Sequence, residues 1–160
     1  MKRLISLLLI AALLAGCDLL NPGSSGESSA NPSLTLTDTL GRSTWRFHTG
    51  EDFYMYFSLR NTTGDTLTYY HTGPSIIFSI LKGDSLVATS VDGMAFPQVV
   101  IGDIVPPGDT LKAWWRAPSS PARVEKLVLA PGSYKAAVSF PWLSETMFGA
   151  VPPVAFTVVE

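Results

Sequence analysis

The feature that most constrains the fold of this chain is a two-residue repeat of apolar side chains. It is clearest from Phe53 to Arg60, where Phe53, Met55, Phe57 and Leu59 alternate with more polar residues. Such a repeat places alternate side chains on opposite faces of an extended strand, whereas an amphipathic helix requires a period of 3.6 residues. The pattern therefore predicts a β-strand with one face buried in a core.

The same period recurs along the chain from Leu34 onward, in short runs rich in valine, threonine, tyrosine and phenylalanine. Turn signals separate the runs at Gly64-Asp65, Gly83-Asp84, Gly102-Asp103 and Gly108-Asp109, with the reverse pair at Asp92-Gly93. No run has the helical period, and twelve prolines and thirteen glycines disfavour long helices. The sequence predicts an all-β fold, an antiparallel β-sandwich of about eight to nine strands.

The first residues have the pattern of a secretory signal. Lys2 and Arg3 precede an apolar block that is too short to span a bilayer, and the block ends at Leu14-Ala15-Gly16-Cys17. This ending resembles the bacterial lipobox, which implies that residues 1–16 are a signal peptide and that Cys17 is lipidated. We therefore expect a protein anchored by lipid to a membrane of the bacterial cell envelope, with its domain in the periplasm or outside the cell.

The chain then divides into a tether and one domain. Residues 17–33 follow the signal and are rich in serine, glycine, asparagine and proline, which is typical of a flexible linker. Residues 34–160 have the usual size of a single domain. Because Cys17 is the only cysteine, this domain must be stable without a disulfide.

The charge of the chain argues against nucleic acid as a partner. The formal net charge is −2, and removal of residues 1–16 would make it more negative by taking away Lys2 and Arg3. The sequence contains no cluster of lysines and arginines, on which phosphate binding depends.

Neither catalysis nor metal binding is expected. His48 and His71 are the only histidines, and neither lies in a nucleophile–base motif. Glu51 and Asp52 are adjacent on a strand and would point to opposite faces. The aspartates of the turns occur singly, whereas a calcium loop needs several carboxylates at short spacing, so turn capping explains them better. We expect a non-enzymatic protein with no cofactor and no metal ion.

Aromatic residues leave two possibilities open. Trp114 and Trp115 are adjacent on a predicted strand, so one ring should face the core and the other the opposite side of the sheet. The outer ring could form an apolar patch for a partner together with exposed tyrosines and with Trp142, Met147 and Phe148, or these residues could form a second small core. The proline-bounded segment 141–153 is either a plug over one end of the sandwich or a binding loop.

The turn at Asp92-Gly93 is followed by two large apolar residues that turn chemistry does not explain. Met94 and Phe96 need either a pocket or a partner. We expect Phe96 to be buried, since large aromatic side chains gain about 1.5–3 kcal/mol on removal from water. Asp92 and Met94 would then face a partner.

Six short motifs follow one another along the chain: Gly-Glu at 50–51, Leu-Arg-Asn at 59–61, Thr-Gly-Pro at 72–74, Asp-Gly-Met-Ala-Phe at 92–96 with Gln98, Pro-Gly-Asp at 107–109 and Ala-Pro-Gly-Ser-Tyr at 130–134. Their order resembles the BsuPI family of intracellular proteinase inhibitors. The resemblance implies an immunoglobulin-like β-sandwich that inhibits a serine protease. Because two apolar side chains follow the Asp-Gly turn, we expect Asp92, Met94, Phe96 and Gln98 to form the contact segment. The alternative is a structural or assembly domain of the envelope that binds another protein and no protease.

Overall fold

The computed structural model describes residues 30–123, 125–141 and 150–160, and these form β-strands without any helix. The all-β prediction is confirmed, although the described residues form ten strands. The strands are β1 (Ala30–Thr37), β2 (Arg46–His48), β3 (Phe53–Asn61), β4 (Leu67–His71), β5 (Ile77–Lys82), β6 (Ser85–Thr89), β7 (Ile101–Val105), β8 (Thr110–Ala117), β9 (Gly132–Ser139) and β10 (Val154–Val159).

The strands form two main sheets and a smaller ribbon. The first sheet has the order β1-β3-β8, the second has the order β2-β10-β9-β5-β6, and β4 pairs with β7. All pairs are antiparallel except β10 with β2. In the immunoglobulin fold, strands B and E share one sheet and strands C, F and G share the other. Here β3 and β8 correspond to strands B and E, and β5, β9 and β10 correspond to strands C, F and G.

A further immunoglobulin-like feature is the start of β9. The hydroxyl of Tyr134 donates a hydrogen bond of 2.7 Å to the carbonyl oxygen of Ala130, four residues earlier. This is the tyrosine corner that immunoglobulin-like sandwiches have at the beginning of strand F. The topology and this corner together establish the predicted immunoglobulin-like sandwich.

The core lies between the two main sheets and is built on β3. Burial alternates along this strand from Phe53 to Asn61, as the apolar repeat predicts. The ring of Phe53 stacks on Phe47 with centroids 4.3 Å apart and lies 5.2 Å from Phe156 of the facing sheet. Other fully buried side chains include Met55, and each large one contributes about 1.5–3 kcal/mol of burial.

One buried polar residue ties the first sheet to the β4–β7 ribbon. The side-chain amide of Asn61 donates hydrogen bonds of 2.8 Å to the carbonyl oxygens of Asp65 and Val105. Its side-chain oxygen accepts from the backbone N–H and the hydroxyl of Thr63. The ribbon is therefore fixed at the end of β3 by a fully paired side chain.

The Gly-Asp turn signals are correct with one exception. Gly102 and Asp103 lie inside β7, where Gly102 faces the ring of Tyr70 on the neighbouring strand. An ideal Cβ at position 102 would come within 3.0 Å of that ring. The glycine is thus explained by close packing within a strand.

The boundaries differ slightly from those drawn on the sequence. Strand β1 begins at Ala30, so the last part of the 17–33 segment already pairs with β3. Cys17 and the signal segment lie outside the described residues, as do Trp142, Met147 and Phe148. Among the described residues, no helix is long and apolar enough to cross a membrane.

Candidate functional site

A concave, mainly apolar groove lies beside β8. This strand is the last of its sheet in the order β1-β3-β8, so within the described residues one of its edges has no neighbouring strand. The groove has a volume of about 890 Å³ and follows that edge over residues 113–116. Its other walls are residues 91–96, residues 119–123 with Lys126, and the start of β5. The apolar lining residues include Pro74, Ile76, Phe78, Val91, Met94, Phe96 and Pro121.

Met94 and Phe96 form one wall of this groove. The expected burial of Phe96 is wrong, because its side chain is 38% exposed. Met94 is 42% exposed. Phe96 rests on the backbone of Gly73, where an ideal Cβ would lie 3.3 Å from its ring. The two apolar side chains therefore line a pocket that is open to solvent.

Asp92 holds the turn that precedes these residues. Its carboxylate accepts hydrogen bonds from the backbone N–H of Thr89, at 3.0 Å, and from the Thr89 hydroxyl, at 2.6 Å. The guanidinium of Arg123 lies 3.3 Å from the same carboxylate. Gly93 follows with φ of 75°, the left-handed conformation that glycine adopts without strain. The contacts of Asp92 thus fix the turn that precedes Met94 and Phe96.

The four contact residues proposed from the sequence therefore have different surroundings. Met94 and Phe96 line the groove, and Asp92 lies beneath the segment with its carboxylate engaged. Gln98 is exposed and is not part of the groove lining. The structure brings only the two apolar side chains together on one concave surface.

The tryptophan pair lies where the alternation of β8 predicts. Trp115 is buried, and its indole N–H donates a hydrogen bond of 2.9 Å to the carbonyl oxygen of Ser119. Trp114 is 64% exposed on the opposite side of the sheet and reaches the rim of the groove. The prediction of one core ring and one outward ring is confirmed.

One carboxylate in the groove lining forms ion pairs with two cations. The carboxylate of Asp52 lies 2.8 Å from the guanidinium of Arg116 and 2.9 Å from the ammonium of Lys126. Glu51 points elsewhere, since its side chain accepts a hydrogen bond from the backbone N–H of His48. The two adjacent carboxylates therefore have separate partners.

Sequence reasoning missed one side-chain cluster in the β4–β7 ribbon. His71 is buried, with its Nε2 atom 2.9 Å from the carboxylate of Asp103 and its Nδ1 atom against the carbonyl oxygen of Gly73. Tyr69 stacks beside the imidazole, and burial raises the pKa of the tyrosine. None of these side chains lines the groove, and their contacts join β4 to β7. Only the pairing of the two strands could have revealed the cluster.

Among the described residues, no group of three or more histidine, cysteine, aspartate or glutamate side chains could hold a metal ion. The groove instead offers apolar contact surface beside an unpaired strand edge. Such an arrangement is suited to binding a polypeptide segment.

Comparison with known proteins gives no family. No family model and no curated protein matches the chain. Similar solved structures include a β-glucosidase from Listeria innocua (11% identity, TM-score 0.43, 82% of this chain and 16% of that chain). They also include the alkylpurine DNA glycosylase AlkC of Pseudomonas fluorescens (12% identity, TM-score 0.42, 82% of this chain and 31% of that chain). The chain thus spans less than a third of either protein, and at these TM-scores the likeness carries no information on function.

Proposed function

We propose that this domain is a non-enzymatic protein-binding module, held on a membrane of the cell envelope by a lipid on Cys17. Its binding site is the groove along β8, which receives an extended segment of a partner protein. The observation that carries the proposal is that Met94 and Phe96, both partly exposed, line an apolar groove beside an unpaired strand edge. Methionine and aromatic residues are enriched at protein interfaces.

The unpaired edge supplies the main-chain part of the binding. An edge strand presents backbone N–H and C=O groups that can pair with an added strand, and several peptide-recognition domains bind in this way. Side chains of the added segment would alternate, so that every second one enters the groove between Phe96 and the β8 edge. Hydrogen bonding would give affinity and the apolar wall would give specificity.

The contacts of the Asp92 carboxylate favour a preformed site. Thr89 and Arg123 hold the carboxylate, and the backbone N–H of Met94 donates a hydrogen bond of 3.0 Å to the carbonyl oxygen of Val91. A wall that is already ordered loses little conformational entropy on binding.

The class of partner follows from the resemblance to BsuPI inhibitors, which makes a serine protease the first candidate. Residues 94–97 are exposed and have no strand pairing, as an inhibitory segment presented to a protease would require. The alternative is an envelope protein without protease activity, bound for assembly. In both cases the same groove wall, Met94 and Phe96, makes the contact.

Two measurements with one set of variants test the proposal. Inhibition constants against subtilisin-like and trypsin-like proteases are measured for the purified chain, and the lipidated chain is used to capture partners from membranes. The double variant Met94→Ala/Phe96→Ala removes the groove wall, and Leu86→Ala, an exposed apolar residue on β6, is the control.

Inhibition at micromolar protein that only the double variant loses supports the protease partner. A captured non-protease that only the double variant loses supports the assembly partner. If the double variant inhibits and captures as well as the Leu86→Ala control does, the groove is not the binding site and the proposal is wrong.

A further inference from the structure

The outer face of the first sheet has a composition unlike the rest of the surface. The side chains of β1, β3 and β8 that point away from the core include three aromatic residues, Tyr54, Tyr56 and Trp114, and three cations, Arg60, Lys112 and Arg116. The remaining outward positions from residue 33 to 37, 54 to 60 and 110 to 116 are all serine or threonine. No acidic or aliphatic side chain lies among them. We call this surface the outer face.

The aromatic rings form a continuous platform across two strands. Tyr56 is directly opposite Trp114 in the β3–β8 register. The ring of Tyr54 lies 5.7 Å from Tyr56 and 5.8 Å from Trp114, measured between centroids. Tyr56 is 40% exposed and Trp114 is 64% exposed. Neighbouring aromatic rings with free faces suit flat ligands whose C–H groups can contact the π-systems.

The cations give this platform a charge opposite to that of the whole chain. Arg116 is 2.8 Å from Asp52, but within the described residues no acidic side chain pairs with Arg60 or Lys112. Both are exposed, and Lys112 lies opposite Ser58 in the register, beside the row that carries Arg60. A chain with a net charge of −2 thus has a basic, hydroxyl-rich face. Its complement is an anionic ligand with many hydroxyl groups.

We propose that the outer face binds an acidic polysaccharide. Sugar rings would stack on Tyr56 and Trp114, and the carboxylates of the polymer would lie against Lys112 and Arg60. The serine and threonine hydroxyls beside these residues both donate and accept hydrogen bonds, as sugar hydroxyls do. The flat sheet matches an extended polymer, which contacts several rows at once. The outer face meets the groove at Trp114 and Arg116, whereas Tyr56, Lys112 and Arg60 are not part of the groove lining.

Two other anionic ligands fit the outer face less well. Binding to a lipid surface buries a broad apolar face, and here the aromatic rings are surrounded by serine and threonine without any aliphatic side chain. Single-stranded nucleic acid uses stacking too, but it needs a positively charged channel along its backbone. The two unpaired cations of the outer face, on a chain with a net charge of −2, do not form such a channel.

Affinity electrophoresis of the purified chain in gels that contain polygalacturonate tests the proposal, with neutral hydroxyethylcellulose as the comparison polymer. We expect retardation by polygalacturonate that weakens with salt. Tyr56→Ala should raise the dissociation constant about tenfold, the loss of roughly one stacking contact. Arg60→Ala/Lys112→Ala should raise it by a similar factor and reduce its salt dependence. Met94→Ala, in the groove, should not change it.

The same protein is also tested against phosphatidylglycerol vesicles and a single-stranded oligothymidylate. Equal retardation by both polymers, or no retardation by polygalacturonate, overturns the proposal. Tighter binding to the vesicles or to the oligonucleotide than to polygalacturonate also overturns it. Because Tyr56, Arg60 and Lys112 are exposed, their variants are expected to fold, and a Tyr56→Phe variant should retain the affinity that stacking provides.

Discussion

Replacement of Asp92 by alanine should release the 91–98 segment while the sandwich remains folded. The carboxylate of Asp92 is joined to the backbone N–H and hydroxyl of Thr89 and to the guanidinium of Arg123. The contacts lie at the end of β6, outside the core that β3 organises. We therefore expect a local loss of order, measurable at Val91 and Met94, with little change in global unfolding.

The size of the effect follows from the three contacts. Hydrogen bonds to a charged group contribute about 1.5–3 kcal/mol each when buried, and this carboxylate is 23% exposed, which lowers the value. The ion pair with Arg123 spans 3.3 Å near the surface and adds less than about 1 kcal/mol. A net local loss of about 2 kcal/mol corresponds to hydrogen exchange about 30-fold faster at the turn.

Amide hydrogen exchange of the parent chain and the variants provides the assay, and the reporter is the Met94 amide, which is bonded to Val91. Arg123→Ala is the control and should accelerate exchange much less, because it leaves both Thr89 contacts in place. Asp92→Asn retains one acceptor oxygen and should fall between the two. If Asp92→Ala leaves exchange at Met94 unchanged but weakens partner binding, Asp92 is a contact residue and does not order the 91–98 segment.

Three further predictions concern stability. Asn61→Ala should lower the free energy of unfolding by about 3 kcal/mol in urea titrations, since it leaves the buried carbonyl oxygen of Val105 without its donor. Tyr134→Phe should cost about 1 kcal/mol in the same assay, through loss of the bond to Ala130. Hydrogen bonds from backbone N–H groups lower the pKa of Asp38, so its stabilising effect is present at neutral pH and lost as the pH falls below about 4. Asp38→Asn should therefore be less stable at pH 7 and should show a smaller loss of stability between pH 5 and pH 3 than the parent chain does. Equal urea midpoints for parent and variant would contradict the corresponding prediction.

The parts of the fold that could be predicted are those that depend on local pattern. Phe53 to Leu59 alternate in sequence and are buried alternately in the structure, because strand geometry fixes which side each residue takes. The same rule separated Trp114 from Trp115. Local pattern failed at Gly102, where the glycine is required by a neighbouring ring and not by a turn.

The parts that could not be predicted depend on which strands become neighbours. His71 and Asp103 are 32 residues apart, and only the pairing of β4 with β7 brings them into contact. Arg60 and Lys112 are isolated in the sequence, where no cluster of cations is visible, yet they share the outer face. Phe96 was expected to be buried from its hydrophobicity alone. It is exposed beside a strand, β8, next to whose free edge the described residues place no strand, and the sequence pattern does not show strand order.

Two motifs that are distant in the sequence meet at the groove, where Phe96 of one contacts Gly73 of the other. Thr-Gly-Pro at 72–74 precedes β5, and Gly-Met-Ala-Phe at 93–96 follows β6. The ring of Phe96 lies on Gly73, and a larger residue there would have to displace it, because even a Cβ atom would come within 3.3 Å. Pro74 lines the groove beside the same ring. The first motif therefore provides the flat backbone surface on which Phe96 rests, and the second delivers the ring to it. The contact between the two segments therefore holds an aromatic side chain at the solvent-exposed wall of the groove, outside the buried core.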